Sequence, residues 1–167
     1  MKTLLFLLIF STLSIVYGQN PVISLIPQPV EIQQSAGTFV LTKTSVIGYD
    51  SEISRNIAEM LAFKLNAPTG FLLKAQQIKA GAIQFTLNKV PVAQLGREGY
   101  TLVSNPKGVI ITANEPAGLF YGMQTLSQIK RIGLIPCCTI TDKPKMGMGA
   151  VMFDLARLKE KHEYYYH

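Results

Sequence analysis

Little in this chain is spaced for chemistry. The terminal run His162-Glu-Tyr-Tyr-Tyr-His167 sets two imidazoles at i and i+5. Metal-gripping helices set them at i and i+4; at about 100° per residue, i+5 is turned about 140° from i, so one helical face cannot offer both rings to one ion. Cys137 and Cys138 are the two cysteines of the chain. As sequence neighbours they cannot bridge without straining the peptide between them, and no second Cys or His pair lies near to complete a metal site. In a strand-like run they would point to opposite sides and act as small buried hydrophobes. The carboxylates are isolated. Asp-Glu and Glu-Glu pairs are absent, and Glu98, Glu115 and Asp142 fall at turn and cap positions, where a solvated or capping role is expected. The residues therefore supply no catalytic, substrate-binding, cofactor-binding or metal-binding set.

The elements that would position a site begin after an apolar leader. Met1-Lys2 precede an apolar run from Leu4 to Val16, and Val16-Tyr17-Gly18 suits a cut ahead of Gln19, so residues 1–18 are expected to be a secretory signal peptide. The run is shorter than the roughly 20 residues that span a bilayer, and no other stretch approaches that length, so no membrane partner is expected once the leader is gone. Export to the periplasm or the exterior follows, and a single unbridged Cys-Cys suits a bacterial envelope protein better than a disulfide scaffold. Cleavage leaves 149 of 167 residues, enough for one domain with a sizeable core. The net charge of +6, of which Lys2 supplies one, is spread thinly with no basic run interleaved with aromatics. That pattern excludes an evident nucleic-acid partner.

The stretch from Glu98 to Ile129 organises the rest. Tyr100 and Leu102 alternate with polar neighbours, Asn105-Pro-Lys-Gly108 supplies turn chemistry, and Val109 to Ala113 is β-branched, which together predict a hairpin. Asn114 is placed as the N-cap of a following helix whose Leu119, Met123 and Leu126 share one face. Gly118 and Gly122 each cost a helix interior about 1 kcal/mol relative to Ala, a cost that close packing of the backbone against a sheet or another domain would offset. Elsewhere, Val22 to Ile26, Thr38 to Tyr49, Phe71 to Leu73 and Ala82 to Leu87 read as strands. Ser51 is placed as the cap of a helix from about Glu52 to Leu65, with Ile53, Ile57, Met60, Leu61 and Leu65 on one face and Asn66 near its end. The order predicts an α+β fold, a mainly antiparallel sheet with two helices packed on one face.

Four blocks, in order, resemble one family. Leu25-Ile-Pro-Gln-Pro-Val-Glu31, Glu98-Gly-Tyr-Thr-Leu-Val103, Ala113-Asn-Glu-Pro-Ala-Gly-Leu-Phe-Tyr-Gly-Met-Gln-Thr-Leu126 and Ile135-Pro-Cys-Cys-Thr-Ile-Thr-Asp-Lys-Pro144 are similar to the N-terminal part of β-N-acetylhexosaminidases, glycoside hydrolase family 20. The resemblance covers about Leu25 to Arg157. It implies an α+β domain over 19–144 that precedes a catalytic (β/α)8 barrel, in which an adjacent Asp-Glu pair works with the substrate's acetamido group as nucleophile. Such a barrel takes about 250 residues, and 23 follow Pro144. In the family an Arg-Gly pair precedes an apolar triplet and Asp-x-x-Arg, the first Arg gripping the sugar hydroxyls. Here Val151-Met-Phe-Asp154-Leu-Ala-Arg157 keeps the triplet and Asp-x-x-Arg, while Gly149 and Ala150 stand in place of Arg-Gly and Leu158 in place of a His. The expectation is a truncated or frame-disrupted copy, with residues 145–167 a remnant of the barrel's start and a tail, and with Asp154 and Arg157 doing no catalytic work.

The function so implied is that of an accessory domain of a β-N-acetylhexosaminidase-like hydrolase, inactive alone and reaching N-acetylhexosamine-containing glycans only through a barrel. The rival is a free-standing module that binds carbohydrate or protein. An apolar patch around Gly118, Tyr121 and Gly122 favours the first, and a polar surface with an aromatic-lined groove the second. If Leu4 to Val16 is a cleaved leader, the exported protein begins at or near Gln19, and mass spectrometry of the secreted form reads that mass; recovery of the intact chain alone, in membranes, refutes cleavage.

Overall fold

The computed structural model describes residues 23–144. The leader, Gly149, Asp154, Arg157, His162 and His167 lie outside the described residues.

Strand and helix periods separate along the chain as their apolar spacing dictates. Buried and less buried residues alternate through Tyr100, Leu102 and Ser104 and through Val109, Ile111 and Ala113. Seven strands result: β1 (Glu31–Val40), β2 (Val46–Tyr49), β3 (Lys74–Gln77), β4 (Ile83–Leu87), β5 (Tyr100–Asn105), β6 (Gly108–Ala113) and β7 (Leu134–Asp142). Helix α1 (Glu52–Thr69) follows β2, and α2 (Pro116–Ile129) follows β6. The strands form one sheet in the order β1-β7-β5-β6-β4-β2-β3. Both helices lie against one face of it and touch each other, α1 over β2 and β3 and α2 over β5 and β6.

The α+β architecture agrees with the sequence, but the sheet is mixed. The pairs β1·β7, β5·β7 and β5·β6 are antiparallel, whereas β2·β3, β2·β4 and β4·β6 are parallel. The reason is α1. Its 18 residues carry the chain back along the sheet, so β3 starts at the end where β2 started. After β3 the chain crosses the face away from the helices at Gly81, whose N–H donates to Gln84 Oε1 (2.9 Å), and returns to begin β4 in the same direction. The buried Gln84 amide then donates to Phe85 O (3.1 Å).

Several local expectations shift. Residues 23–30 and Phe71–Leu73 form no strand; Leu73 is instead held by both amide atoms of Asn66, its N–H donating to Oδ1 (2.8 Å) and its carbonyl accepting from Nδ2 (3.3 Å). β1 begins at Glu31, well before Thr38, and a turn at 41–45 separates it from β2. α1 continues beyond Leu65 to Thr69, and Gly70 ends it at φ 69°. Ser51 occupies the N-cap of α1, with its hydroxyl on that of Ser54 (2.9 Å). The N-cap of α2 is Glu115, one residue past Asn114. On α1 the buried stripe is Ile57, Leu61 and Leu65, while Ile53 and Met60 face outward.

The core is tightest where α2 meets β5 and β6. Leu119, Met123 and Leu126 are fully buried. Gly118 and Gly122 lie on the same side. A Cβ at Gly118 would run into the Gly99 carbonyl oxygen, and one at Gly122 would sit 2.5 Å from Ile111 Cγ2 and 3.1 Å from the Tyr100 ring. Across that contact Tyr100 Oη and Thr125 Oγ1 share a hydrogen bond at 2.5 Å. Burial pushes the Tyr100 phenol up to about 12, with Asp142 adding to the shift and the Thr125 hydrogen bond opposing it. In β7, Cys137 and Cys138 are both buried free thiols. Cys138 belongs to the main core, and burial, with Cys137 next to it, pushes its thiol up to about 11. Cys137 lies by Gly37 and Pro106, and burial raises its thiol too.

This packing has two testable consequences. Gly118→Ala and Gly122→Ala gain about 1 kcal/mol of helix propensity, yet overpacking costs about 1 to 3 kcal/mol. Both variants should therefore unfold at lower urea, Gly118→Ala the more so because it meets backbone. A rise in either midpoint would show that the glycines serve something other than close approach. The second concerns alkali. The Cys138 and Tyr100 pKa values are raised above ordinary values of 9.0 and 10.0, so the unfolded chain gives up these protons first. The stability they contribute is complete below about pH 9 and is lost as pH rises toward about 12. Urea midpoints between pH 8 and 11 should fall, and Cys138→Ala with Tyr100→Phe should flatten the fall.

Candidate functional site

Strand directions sort the charged residues. β2, β4 and β6 end, and β1 and β5 begin, at one end of the sheet, where Glu31, Asp50, Glu98, Glu115 and Asp142 gather. A shallow cavity of about 400 Å³ opens there, lined by Arg97, Glu98, Glu115 and Lys143. Its chemistry is weak. Arg97 Nε donates to both carboxylate oxygens of Glu115, at 3.1 and 3.2 Å. The Arg97 side chain is 85% exposed and that of Glu115 42%. An ion pair this open to solvent contributes little and holds no group in a fixed catalytic position. Asp142 Oδ1 accepts from Val30 N–H (3.1 Å), and Asp50 Oδ2 accepts from Leu87 N–H (3.1 Å). Asp50, Glu115 and Asp142 thus tie loops and strand ends together, while Glu98 stands in the turn before β5 and Glu115 at the N-cap of α2.

Asn114 does the most at this end. Its Oδ1 accepts from Asn88 Nδ2 (2.9 Å) and Val92 N–H (2.8 Å), and its Nδ2 donates to the carbonyls of Val92 and Gly96 (2.8 Å each). All four hydrogen bonds go to the loop between β4 and β5, so its side chain anchors that loop and caps no helix. Its position after a β-branched run pointed to a cap, because the local pattern cannot show a partner 22 residues away.

The outer surface of the helix layer is different in kind. On α1, Ile53, Met60 and Phe63 recur at i, i+7 and i+10 and are 66%, 40% and 80% exposed. They form a second apolar stripe, turned away from the sheet. On α2, Tyr121 is 44% exposed, with Phe120 edge-on beside it at a ring-centroid distance of 5.8 Å. Lys64 Nζ spans the two helices to Gln124 Oε1 (3.1 Å). Of Gly118, Tyr121 and Gly122, whose exposure as an apolar patch would favour an accessory domain, the glycines face inward and Tyr121 alone outward. Ile53 and Met60 were assigned to the buried face because an apolar residue in a helix window reads as core, and only the placement of α1 over β2 and β3 decides which of two stripes is inside.

Comparison with known proteins locates this arrangement. The family profile "Glycosyl hydrolase family 20, domain 2" matches residues 22–143. A β-hexosaminidase of Porphyromonas gingivalis is 30% identical over 149 residues, covering 81% of this chain and 19% of that protein. A lacto-N-biosidase of Bifidobacterium bifidum is 34% identical over 106 residues, 61% of this chain and 9% of that protein. Among solved structures, the N-acetyl-β-hexosaminidase of Streptomyces plicatus superposes with a TM-score of 0.68 at 34% identity, over 77% of this chain and 28% of that one. The chain therefore spans about a fifth of the length of the first curated relative it matches. With the fold, the order of its elements and the profile match over nearly the whole described region in agreement, the chain belongs to glycosyl hydrolase family 20, as that family's domain 2.

Proposed function

We propose that this domain is the accessory, non-catalytic part of an exported β-N-acetylhexosaminidase, and that the outer face of its helix layer seats the catalytic barrel that hydrolyses terminal N-acetylhexosamine residues of glycans. The observation that carries the reading is the apolar stripe of Ile53, Met60 and Phe63 with Tyr121 beside it. Apolar side chains at this spacing on the side away from the sheet suit a third layer better than water. The carboxylates support it by their roles, since Glu115 is held in an ion pair and Asp50 and Asp142 by backbone N–H groups. Hydrolysis of a glycoside needs an acid on the leaving oxygen and a second group across the scissile bond, and in this reading both belong to the barrel.

The test supplies the barrel in trans. The catalytic portion of the Porphyromonas gingivalis β-hexosaminidase is co-expressed with this chain, and with that enzyme's own domain 2 as the positive control. Co-purification and restored cleavage of a chromogenic N-acetyl-β-glucosaminide are expected, with Met60→Asp and Phe63→Asp each weakening association by at least about tenfold. Cleavage by this chain alone, or failure to associate where the control succeeds, overturns the proposal.

A further inference from the structure

The end of the sheet opposite the carboxylates carries a second surface. Three connections converge there: the turn after β1, the link from α1 to β3, and the turn between α2 and β7. Leu41 N–H donates to Gly133 O (2.7 Å), and a Cβ at Gly133 would lie 3.9 Å from Thr69 Cγ2. Lys43, Lys130 and Arg131 stand on these connections, Lys74 opens β3, and Lys107 stands on the β5–β6 turn at the same end. No Asp or Glu lies on them, and none of the five cations makes an ion pair among the described residues. Apolar side chains on the same connections and on the strand ends that flank them are bare. Leu72 is 85% exposed, Ile132 79%, Val40 55% and Leu134 47%.

Ile132 is the sharpest of these. Arg131 and Leu134 exchange both backbone hydrogen bonds, N–H to O at 2.8 and 2.7 Å, closing a two-residue turn over Ile132 and Gly133. Both central residues have positive φ, 29° for Ile132 and 80° for Gly133. Such a turn favours Asn or Gly at its first position, and a β-branched residue there is an outlier. The fold thus holds an isoleucine in a costly backbone conformation where its side chain packs against little and projects beside two cations. A surface that needed only a tight turn would be better served by Asn-Gly.

We propose that this end is a peripheral docking surface for an anionic phospholipid bilayer: Ile132 and Leu72 enter the headgroup region and the surrounding lysines and Arg131 meet the lipid phosphates. The combination selects a lipid surface over an acidic polysaccharide or nucleic acid, because those polyanions satisfy the cations but offer no apolar phase for Ile132 and Leu72. The expectation of no membrane partner rested on the lack of a spanning run, and a turn tip seated at headgroup level needs none. The inference stands apart from the glycosidase reading, since it uses the end of the sheet and not the helix layer.

The chain contains no tryptophan, so Ile132→Trp makes a reporter that is read independently of the apolar leader. With the full chain, phosphatidylglycerol vesicles should shift the indole emission of this variant to the blue, and lipids brominated on the acyl chain should quench it, while pure phosphatidylcholine vesicles do neither. Each cation removed should weaken binding by about fivefold. Lys130→Glu with Arg131→Glu should therefore lower the affinity by more than about twentyfold, and Lys89→Glu, on the opposite end, should change it little. Leu72→Trp gives the same reading from the neighbouring connection and serves if the first variant unfolds. The proposal fails if neither reporter responds to phosphatidylglycerol, if both respond equally to phosphatidylcholine, or if heparin in the absence of lipid produces the same shift.

Discussion

The contact of α2 with β5 and β6 is the constraint on which the rest of the domain depends. Two glycines bring the helix backbone against Gly99 and Ile111, near enough that a single methyl group on either would collide. At that separation Leu119, Met123 and Leu126 reach fully into the core, and Tyr100 reaches Thr125. A helix held farther off would leave a gap along its whole length, and interiors tolerate few voids larger than a water molecule. Helix α1 packs beside α2 over β2 and β3, and that placement puts Ile57, Leu61 and Leu65 inside.

The features legible in the sequence are the ones whose signal is local. The Asn105–Gly108 hairpin, the inward stripe of α2 and the close-packing role of Gly118 and Gly122 are all written in nearest-neighbour pattern. Parallel pairing was not legible, because β2, β3 and β4 are four or five residues long and their direction is fixed by the long return through α1 rather than by their own sequence. Asn114 was misread for a related cause: an amide side chain that satisfies four groups on a distant loop looks, locally, like any other cap. Ile53 and Met60 read from the sequence as one face with Ile57, Leu61 and Leu65, and only the packed helix separates the outward pair from the buried three.

Charge shows the same divide between order along the chain and order in space. The basic residues are scattered in sequence, and no window holds a cluster that would suggest a polyanion partner. Folding sorts them. The turns at one end of the sheet collect cations alone, while most of the carboxylates gather at the other end, so the domain carries an electrical polarity along its strands that its modest net charge conceals.

The pairing of β1 with β7 bears on how the domain is made. Val30 N–H meets Asp142 Oδ1 across 112 residues of sequence, and β1 lies against the last strand of the sheet. On a ribosome, β1 is the first strand of this sheet to appear and the last to find its neighbour. It must wait, unpaired, while β2 to β6 assemble. An edge-forming strand left open for that interval can recruit the wrong partner. Its sequence offers some protection, since Glu31-Ile-Gln-Gln-Ser-Ala-Gly is largely polar and its pairing with β7 is broken between Gln34 and Thr38. Vectorial synthesis thus favours a first strand that binds weakly until its partner arrives, and the irregular register of β1 meets that demand.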